Sequence, residues 1–354
     1  MLTQAEVVPY VLGRRLIGPS SVVEGDVVVR DLSTRNCNFT VERRHGPSYL
    51  LKQGVTAEEA ATVAHEAQVY ATLWSSDTPI CRYVPRFHQY EDGILVLEFV
   101  GEGRNLHEHH ARRGRFPVTL AGAMGRVLGV LHATPWRPAD DVSPERAPWV
   151  LSLHRPGLDV FRDMSAASLD VIKAIQAEPA FGEQLDELRA GWRQQALLHS
   201  DVKWDNFILD SRPGTRARGV KLIDWETAGR GNPSWDIGSV FAHYLSFWLA
   251  SIPVTGDVPP EEFPLLARHP LDSMQPAMAA CWRAYCGSRR FDADESARWL
   301  AATVRFAGAR LVQAAVESAQ GSMHLTGNVV LHLQLAFNML LRPREAAVHL
   351  LGIR

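Results

Sequence analysis

Residues 199–206 have the sequence HSDVKWDN, and this stretch decides the interpretation of the 354-residue chain. It places the carboxylate of Asp201 five positions before the amide of Asn206, and a second carboxylate, Asp224, follows in LIDWE at residues 222–226. Phosphoryl transfer needs a carboxylate that faces the acceptor hydroxyl and oxygen ligands that hold Mg²⁺ on the nucleotide phosphates. A His-x-Asp-x4-Asn loop followed by an Asp on the next predicted strand supplies these groups. The spacing therefore predicts phosphoryl transfer, with Asp201 as the catalytic carboxylate and Asn206 and Asp224 as metal ligands.

Composition places the chain among ordinary globular proteins. Hydrophobic residues make up 46% and charged residues 21%, and 37 Lys and Arg stand against 39 Asp and Glu. The length allows two lobes with a sizeable core. Because the charges nearly cancel, no bulk attraction to nucleic acid or to an anionic membrane is expected. We predict neither as a partner.

Cysteine spacing and the first residues bear on location. The four cysteines lack paired metal-ligand spacing, and MLTQAEVVPY at residues 1–10 lacks a cationic segment followed by an apolar core. The longest uncharged run, residues 237–254, is too polar and slightly too short for a spanning helix. These features favour a cytoplasmic protein with reduced cysteines.

Periodicity divides the chain into a strand-rich part and a helix-rich part. Capping boxes at Thr3–Glu6 and Thr56–Glu59 predict helices running to Leu16 and Leu73. Apolar helical spacing predicts further helices over residues 293–320 and 329–341. Strands are predicted over residues 26–31, 39–43, 48–52, 94–100, 196–198, 207–209 and 220–223. A hinge at residues 101–103 separates a nucleotide-binding N-lobe, residues 1–98, from a C-lobe, residues 99–354, which carries the catalytic loop.

Three further stretches carry a resemblance to a known family. They are LVLEFVG at residues 95–101, LIDWE at residues 222–226 and GNPSWD at residues 231–236. With the 199–206 loop, they make the chain similar to the aminoglycoside phosphotransferase and choline kinase-like superfamily. That resemblance implies an α+β, bilobal protein-kinase-like fold, with a β-rich N-lobe and a helical C-lobe that carries a helical insertion.

The resemblance also implies roles for particular residues. ATP and Mg²⁺ are the expected cofactors, and backbone groups of Glu98 and Val100 are expected to meet the adenine. Asp236 is expected to buttress the catalytic loop without reacting. The uninterrupted apolar strand before the hinge suits adenine but does not settle ATP against GTP.

Lys52 closes the apolar strand YLLK, residues 49–52. A lysine there can contact the α and β phosphates if a helix carboxylate holds it, and Glu66 on the following helix is the best candidate. The alternative makes Lys52 a solvated strand end and Glu66 an ordinary helix residue. The catalytic loop and Asp224 downstream favour the functional interpretation.

The loop expected over the nucleotide departs from the protein-kinase pattern, whereas Lys203 fits that pattern and departs from many small-molecule members of the superfamily, which carry His or another residue there. The loop LSTRNCNF, residues 32–39, contains no glycine. Asn36 and Arg35 are predicted phosphate contacts there, although a plain polar hairpin turn would look the same. Lys203 stands two residues after Asp201, where a cation would counter charge on the transferring phosphoryl group. The alternative is a surface lysine in an exposed loop.

A histidine-rich run follows the hinge. HEHH at residues 107–110 lacks the His-Glu-x-x-His spacing of zinc proteases. With arginines close behind, it is typical of a solvated helix face. Its position after the hinge also allows these residues to line the acceptor cleft.

The acceptor remains open among three hypotheses. Residues 25–39 and the catalytic loop resemble the kinase subunits of class V lanthipeptide biosynthesis, which implies Ser or Thr of a precursor peptide as acceptor and a separate lyase as partner. A small-molecule kinase acting on an aminoglycoside, a choline-like alcohol or a sugar is the alternative. Charges between the hinge and residue 196 look balanced, which weakens a polycationic substrate. A non-catalytic scaffold is disfavoured because Lys52, Glu66, Asp201, Asn206 and Asp224 are all present.

Overall fold

The fold divides into two units with separate cores. A computed structural model describes residues 1–75, 78–101, 104–135, 147–158, 164–210, 219–254 and 259–354. The first unit comprises the described parts of Met1–Leu106 and Asp205–Ala228, and the second those of His107–Trp136, Ser143–Trp204 and Gly229–Arg354. Residues 102 and 103 of the predicted hinge lie outside the described residues. The division at residues 98 and 99 stays a prediction.

Strands concentrate in the first half of the chain and helices in the second. In chain order the elements are α1 (Gln4–Gly13), α2 (Pro19–Val23), β1 (Val27–Asp31), β2 (Cys37–Arg43), β3 (Tyr49–Gln53), α3 (Ala57–Ser75), β4 (Phe87–Glu91), β5 (Ile94–Glu98), α4 (Leu106–Arg113), α5 (Val118–Ala133), α6 (Ala166–Gln176), α7 (Pro179–Ala190), β6 (Ala196–Leu198), β7 (Phe207–Asp210), β8 (Gly219–Leu222), β9 (Gly229–Gly231), α8 (Ser234–Ala250), α9 (Gln275–Arg289), α10 (Ala293–Ala319), α11 (Gly327–Leu341) and α12 (Pro343–His349). This is the predicted α+β arrangement, with a β-rich N-lobe and a helical C-lobe.

The first unit is built on a five-stranded antiparallel sheet in the order β1-β2-β3-β5-β4. Successive side chains of a strand point to opposite faces. On β3, Tyr49 and Leu51 join a buried cluster that includes Val7 and Val11 of α1. The intervening Leu50 and Lys52 line a cavity together with Leu97 of β5. Alternate side chains of β3 therefore point to opposite faces of the sheet, one face toward the buried core and the other toward the cavity.

A second, two-stranded sheet in the first unit positions the metal-ligand candidates. Strands β7 and β8 pair antiparallel, with Phe207 opposite Leu222. The backbone N–H of Ile223 donates a hydrogen bond of 3.0 Å to the carbonyl of Asn206. This pairing fixes Asn206 beside the residue that precedes Asp224.

The second unit is a helical body. Helix α5 packs against α9, and α10 packs against α8 and α11. A Cβ atom at Gly125 of α5 would collide with the backbone carbonyl of Cys281, so glycine allows these two helices to approach closely. Strand β6 ends just before the 199–206 loop, and it pairs with β9, which follows the loop in the chain. No helix within the described ranges combines the length and the apolar character needed to cross a membrane.

Candidate active site

The first unit contains a cavity of about 400 Å³ with an apolar part and a polar part. The apolar part is lined by Leu50, Leu97, Val100, Ile208 and Ile223. The polar part is lined by Asn38, Lys52, Glu66, Asn206 and Asp224. Six of the predicted cofactor and metal residues thus meet in one pocket: Lys52, Glu66, Glu98, Val100, Asn206 and Asp224.

Lys52 is the centre of the polar part. Its Nζ lies 2.7 Å from Oε2 of Glu66, 3.1 Å from Oδ1 of Asp224 and 3.5 Å from Oε2 of Glu226. Lys52 is 8% exposed and Glu66 is 2% exposed. The expected ion pair between the strand lysine and the helix carboxylate is therefore confirmed. The backbone N–H of Trp225 also donates to Glu66, at 3.2 Å.

The electrostatics of this cluster favour a positive ligand. Burial alone would lower the pKa of Lys52, but the carboxylates of Glu66 and Asp224 outweigh burial and raise it above its ordinary value. Lys52 is therefore charged at neutral pH. One ammonium nevertheless faces three carboxylates, which leaves an excess of negative charge at the edge of the cavity. A divalent cation would neutralise that excess.

Asn206 and Asp224 have the chemistry of magnesium ligands. Asp224 adopts a left-handed backbone conformation, with φ of 67°, which an aspartate tolerates better than most residues. Asn206 is buried. In the described part of the chain, no cluster of three or more His, Cys, Asp or Glu side chains stands ready to hold a metal by itself. Mg²⁺ commonly binds one or two protein oxygens together with substrate phosphates, so the pair fits that ion.

The apolar part of the cavity borders the end of β5. The backbone N–H of Glu98 donates to the carbonyl of Arg86, and that of Phe99 donates to the carbonyl of Ser48, both at 2.8 Å. These two amides are already used inside the protein. The backbone N–H of Val100 is therefore the candidate donor to an adenine ring, and the adenine contacts of Glu98 and Val100 stay predictions.

The predicted phosphate contacts in the loop before β2 lie elsewhere. Arg35 is exposed and forms an ion pair of 4.0 Å with Glu59, and Asn36 is buried but is not among the residues that line the cavity. Asn38 lines it instead and stands opposite Lys52 in the β2–β3 register. Its buried Oδ1 has no hydrogen-bond partner among the described residues. The phosphate roles of Arg35 and Asn36 stay predictions.

The second unit contains residues 199–204 of the His-x-Asp-x4-Asn loop, whereas Asn206 belongs to the first unit. Both carboxylate oxygens of the fully buried Asp236 accept backbone N–H bonds from the loop, at 2.7 Å from His199 and 3.0 Å from Ser200. Ser200 has a φ of 70°, a conformation that costs energy for a non-glycine residue and persists only when its surroundings hold it. Asp236 thus buttresses the loop as the resemblance implied. His132 contacts the same carboxylate at 3.2 Å.

Asp201 is paired with the lysine that follows it. Nζ of Lys203 donates to Oδ2 of Asp201 at 2.6 Å. Burial alone would raise the pKa of Asp201, but the Lys203 ammonium outweighs burial and lowers it below its usual range. Asp201 is therefore an ionised hydrogen-bond acceptor at neutral pH. The catalytic roles of both residues stay predictions.

The structure adds three residues that the sequence motifs do not single out: Asn38, His132 and Glu226. Glu226 follows Asp224 by two positions in LIDWE, and that spacing was a usable signal. Asn38 alternates with the core residues Phe39 and Val41 across β2, which also predicts its side. His132 had no local signal, because its partner Asp236 is 104 positions away.

Comparisons with known proteins agree with this architecture. The profile of the phosphotransferase enzyme family matches residues 28–256, which is more than half of the chain. No curated protein sequence matches the chain.

Solved structures share the fold at low identity. They include an ADP-bound aminoglycoside phosphotransferase, APH(2'')-Ib (11% identity, TM-score 0.53, 96% of this chain and 99% of that chain). Amicoumacin kinase hAmiN, in complex with AMP-PNP, Ca²⁺ and Ami, has 15% identity and a TM-score of 0.53 over 93% of this chain and 95% of that chain. Choline kinase from Cryptosporidium parvum has 14% identity and a TM-score of 0.55 over 98% of each chain. The likeness shows a protein-kinase-like fold, and the family match shows that this chain belongs to the phosphotransferase enzyme family.

Proposed function

We propose that this protein transfers the γ-phosphoryl group of ATP to a hydroxyl group, with Mg²⁺ as the metal. One observation carries the proposal: Lys52, held by Glu66 and Asp224, shares a cavity with Asn206 and with the apolar end of β5. An adenine fits the apolar part. The phosphates fit the part where the ammonium and the metal-ligand candidates converge.

The transfer step assigns a role to each polar residue. Asp201 accepts a hydrogen bond from the acceptor hydroxyl and takes its proton as the oxygen–phosphorus bond forms and the bond to the β-phosphate oxygen breaks. Lys203 moves from Asp201 toward the transferring group and counters its charge. ADP and a phosphate monoester are the products.

Asn206 and Asp224 would hold the metal. When bound with the nucleotide, Mg²⁺ neutralises phosphate charge and orients the terminal phosphate. Lys52 contacts the α and β phosphates while Glu66 and Asp224 hold it in place.

We propose Ser or Thr of a ribosomally made precursor peptide as the acceptor. Support comes from the resemblance of residues 25–39 and of the catalytic loop to lanthipeptide kinase subunits, and from Lys203 at the protein-kinase position. The phosphorylated residue would then pass to a separate lyase, which eliminates phosphate. The enzyme would act in the cytoplasm, where ATP is available and where its four free cysteines stay reduced.

A small-molecule alcohol is the second candidate. The solved structures of similar fold are named for an aminoglycoside, amicoumacin and choline. Shared fold does not fix the acceptor.

Labelled ATP tests the proposal directly. The protein is incubated with [γ-³²P]ATP, Mg²⁺ and two panels, one of Ser- and Thr-rich peptides and one of alcohol-bearing metabolites. We expect label in one panel and a loss of about 10²-fold or more in Asp201→Asn, because that variant cannot take the proton. Label in neither panel, or wild-type turnover in Asp201→Asn, would refute the proposed activity.

A further inference from the structure

A second cavity in the helical unit has a distinct chemistry. It has a volume of about 540 Å³ and is lined by His107 and Ala111 of α4, by Phe247 near the end of α8, and by Arg268 and His269. His107 and Ala111 are four residues apart and therefore share one face of α4. The cavity is thus formed by two helices and one connecting segment.

Hydrogen bonds fix the connecting segment. The backbone N–H of Arg268 donates to the carbonyl of Ser251 at 3.0 Å, and that of His269 donates to Oγ of the same serine at 3.2 Å. The ring of His269 lies 5.0 Å from that of Phe247, and the ring of His107 lies 6.0 Å from it. The rings of His107, Phe247 and His269 therefore lie close together and line one side of the pocket.

The charge of the cavity is one-sided. Its described lining includes one guanidinium and two imidazoles but no carboxylate. Arg268 is exposed and forms no salt bridge with any residue that the structure describes. A guanidinium beside aromatic rings suits a carboxylate attached to an apolar or aromatic group. The guanidinium of Arg268 would repel a polycationic ligand.

The cavity adjoins the catalytic loop through one indole. The ring of Trp204 lies 5.3 Å from Phe247 and 6.5 Å from His107. Trp204 follows Asp201 by three positions in the loop that Asp236 holds. Trp204 is almost fully buried and packs behind the lining residues Phe247 and His107. A ligand in the cavity therefore lies one side chain from the segment that carries the catalytic carboxylate.

We propose that this cavity is an acceptor subsite that selects an aromatic or apolar group carrying a carboxylate, with Arg268 as the specificity-determining residue. The assignment as an acceptor subsite rests on the proposed function. The carboxylate can belong to a residue beside the target Ser or Thr of a peptide or to a hydroxy acid metabolite. A polycationic acceptor is disfavoured.

Ligand-observed NMR tests the pocket without any turnover. Phenylacetate and benzylamine present the same ring with opposite charge, and we expect only phenylacetate to bind. Arg268→Gln should weaken phenylacetate binding by about fivefold, the factor that an exposed ion pair supplies. Arg126→Gln, an exposed arginine of α5 outside this cavity, is the matched control and should change nothing. Equal binding of both probes, or equal losses in the two variants, overturns the proposal.

Transfer assays distinguish the two sources of the carboxylate. One arm compares a Ser peptide with a neighbouring Asp-Phe and the same peptide with Lys-Phe. The other compares 3-phenyllactate with phenylethanolamine. A lower KM for the acidic member in either arm, lost in Arg268→Gln, supports the subsite and names the source. Asp201-dependent transfer with no such preference overturns the subsite and leaves the proposed function intact. Absence of any transfer overturns the function, while the NMR result still judges the pocket.

Discussion

Lys52 organises the nucleotide end of the site. Its ammonium is almost fully buried among Glu66, Asp224 and Glu226, so we expect its charge to contribute to the stability of the fold as well as to the proposed phosphate binding. Removing one partner of a buried ion pair leaves the other charge uncompensated.

We expect Lys52→Met to lower the free energy of unfolding by about 3 kcal/mol, the usual cost of breaking a buried pair. The Lys52→Met/Glu66→Gln double variant should recover part of that loss, because Gln leaves no charge behind. Urea unfolding measures both values. Additive losses in the double variant would show that the two residues are not coupled.

Asn36, just before β2, and Asn38, within β2, make a matched pair for mutation. Only Asn38 lines the cavity, opposite Lys52. Asn38→Ala should raise the KM for ATP by about tenfold, since a hydrogen bond to a charged group contributes roughly 1.5 kcal/mol. Asn36→Ala should change it less. A larger increase in KM for Asn36→Ala than for Asn38→Ala would indicate that Asn36 makes the phosphate contact.

Elements with strong local signals were predicted well. The strands predicted over residues 39–43 and 48–52 form as Cys37–Arg43 and Tyr49–Gln53, and the long helix over residues 293–320 forms as Ala293–Ala319. The second capping box predicted a helix that forms as Ala57–Ser75. Strand alternation, helical periodicity and helix caps depend on residues that are close together in the sequence, and these elements could therefore be predicted.

Elements that depend on distant partners were missed. Strand β4 is half polar and shows no clean alternation, since it is the edge strand beside β5. Strand β9 contains two glycines in three residues and exists because it pairs with β6.

The grouping of Asn206 and Asp224 with Lys52 was predicted from their residue types. The Asp236–His132 contact and the second cavity depend on helix packing that the sequence pattern does not specify.

The catalytic loop depends on α8 through one carboxylate. Asp236→Asn replaces an acceptor oxygen by a donor, so it can no longer accept both backbone N–H groups. We expect kcat to fall by about tenfold or more, since losing one bond to a charged acceptor is worth about 1.5–3 kcal/mol. The affinity for MgADP, which depends on the first unit, should stay near the wild-type value. Parallel losses of both quantities would indicate general misfolding.

The protein as a whole should be sensitive to acid. Burial is the main cause that lowers the pKa of His110 to about 4 and of His243 to about 3, and it also lowers that of His132. Each folded pKa lies below the unfolded value near 6.5. Above that value neither state binds the proton. Below it only the unfolded state does, so stability falls as the pH drops from about 6.5 toward 4.

His110 and His243 should each contribute up to about 1.4 kcal/mol of lost stability per pH unit in that window. Urea unfolding between pH 7 and pH 5 measures the slope. His110→Gln should flatten it, whereas the exposed His324, changed to Gln, should not. Identical slopes in the two variants would contradict the assignment.

Asp224 and Asn206 should hold a metal on the nucleotide whose γ-phosphoryl group Asp201 helps to transfer. Calorimetry of ATP binding, with Mg²⁺ and with EDTA, tests it on the wild type, Asp224→Ala and Asp201→Asn. We expect EDTA to weaken ATP binding to the wild type and to Asp201→Asn by about tenfold or more, equal to about 1.4 kcal/mol. Asp224→Ala should bind weakly in both conditions. Full Mg²⁺-dependent affinity in Asp224→Ala would contradict the assignment of Asp224 as a metal ligand.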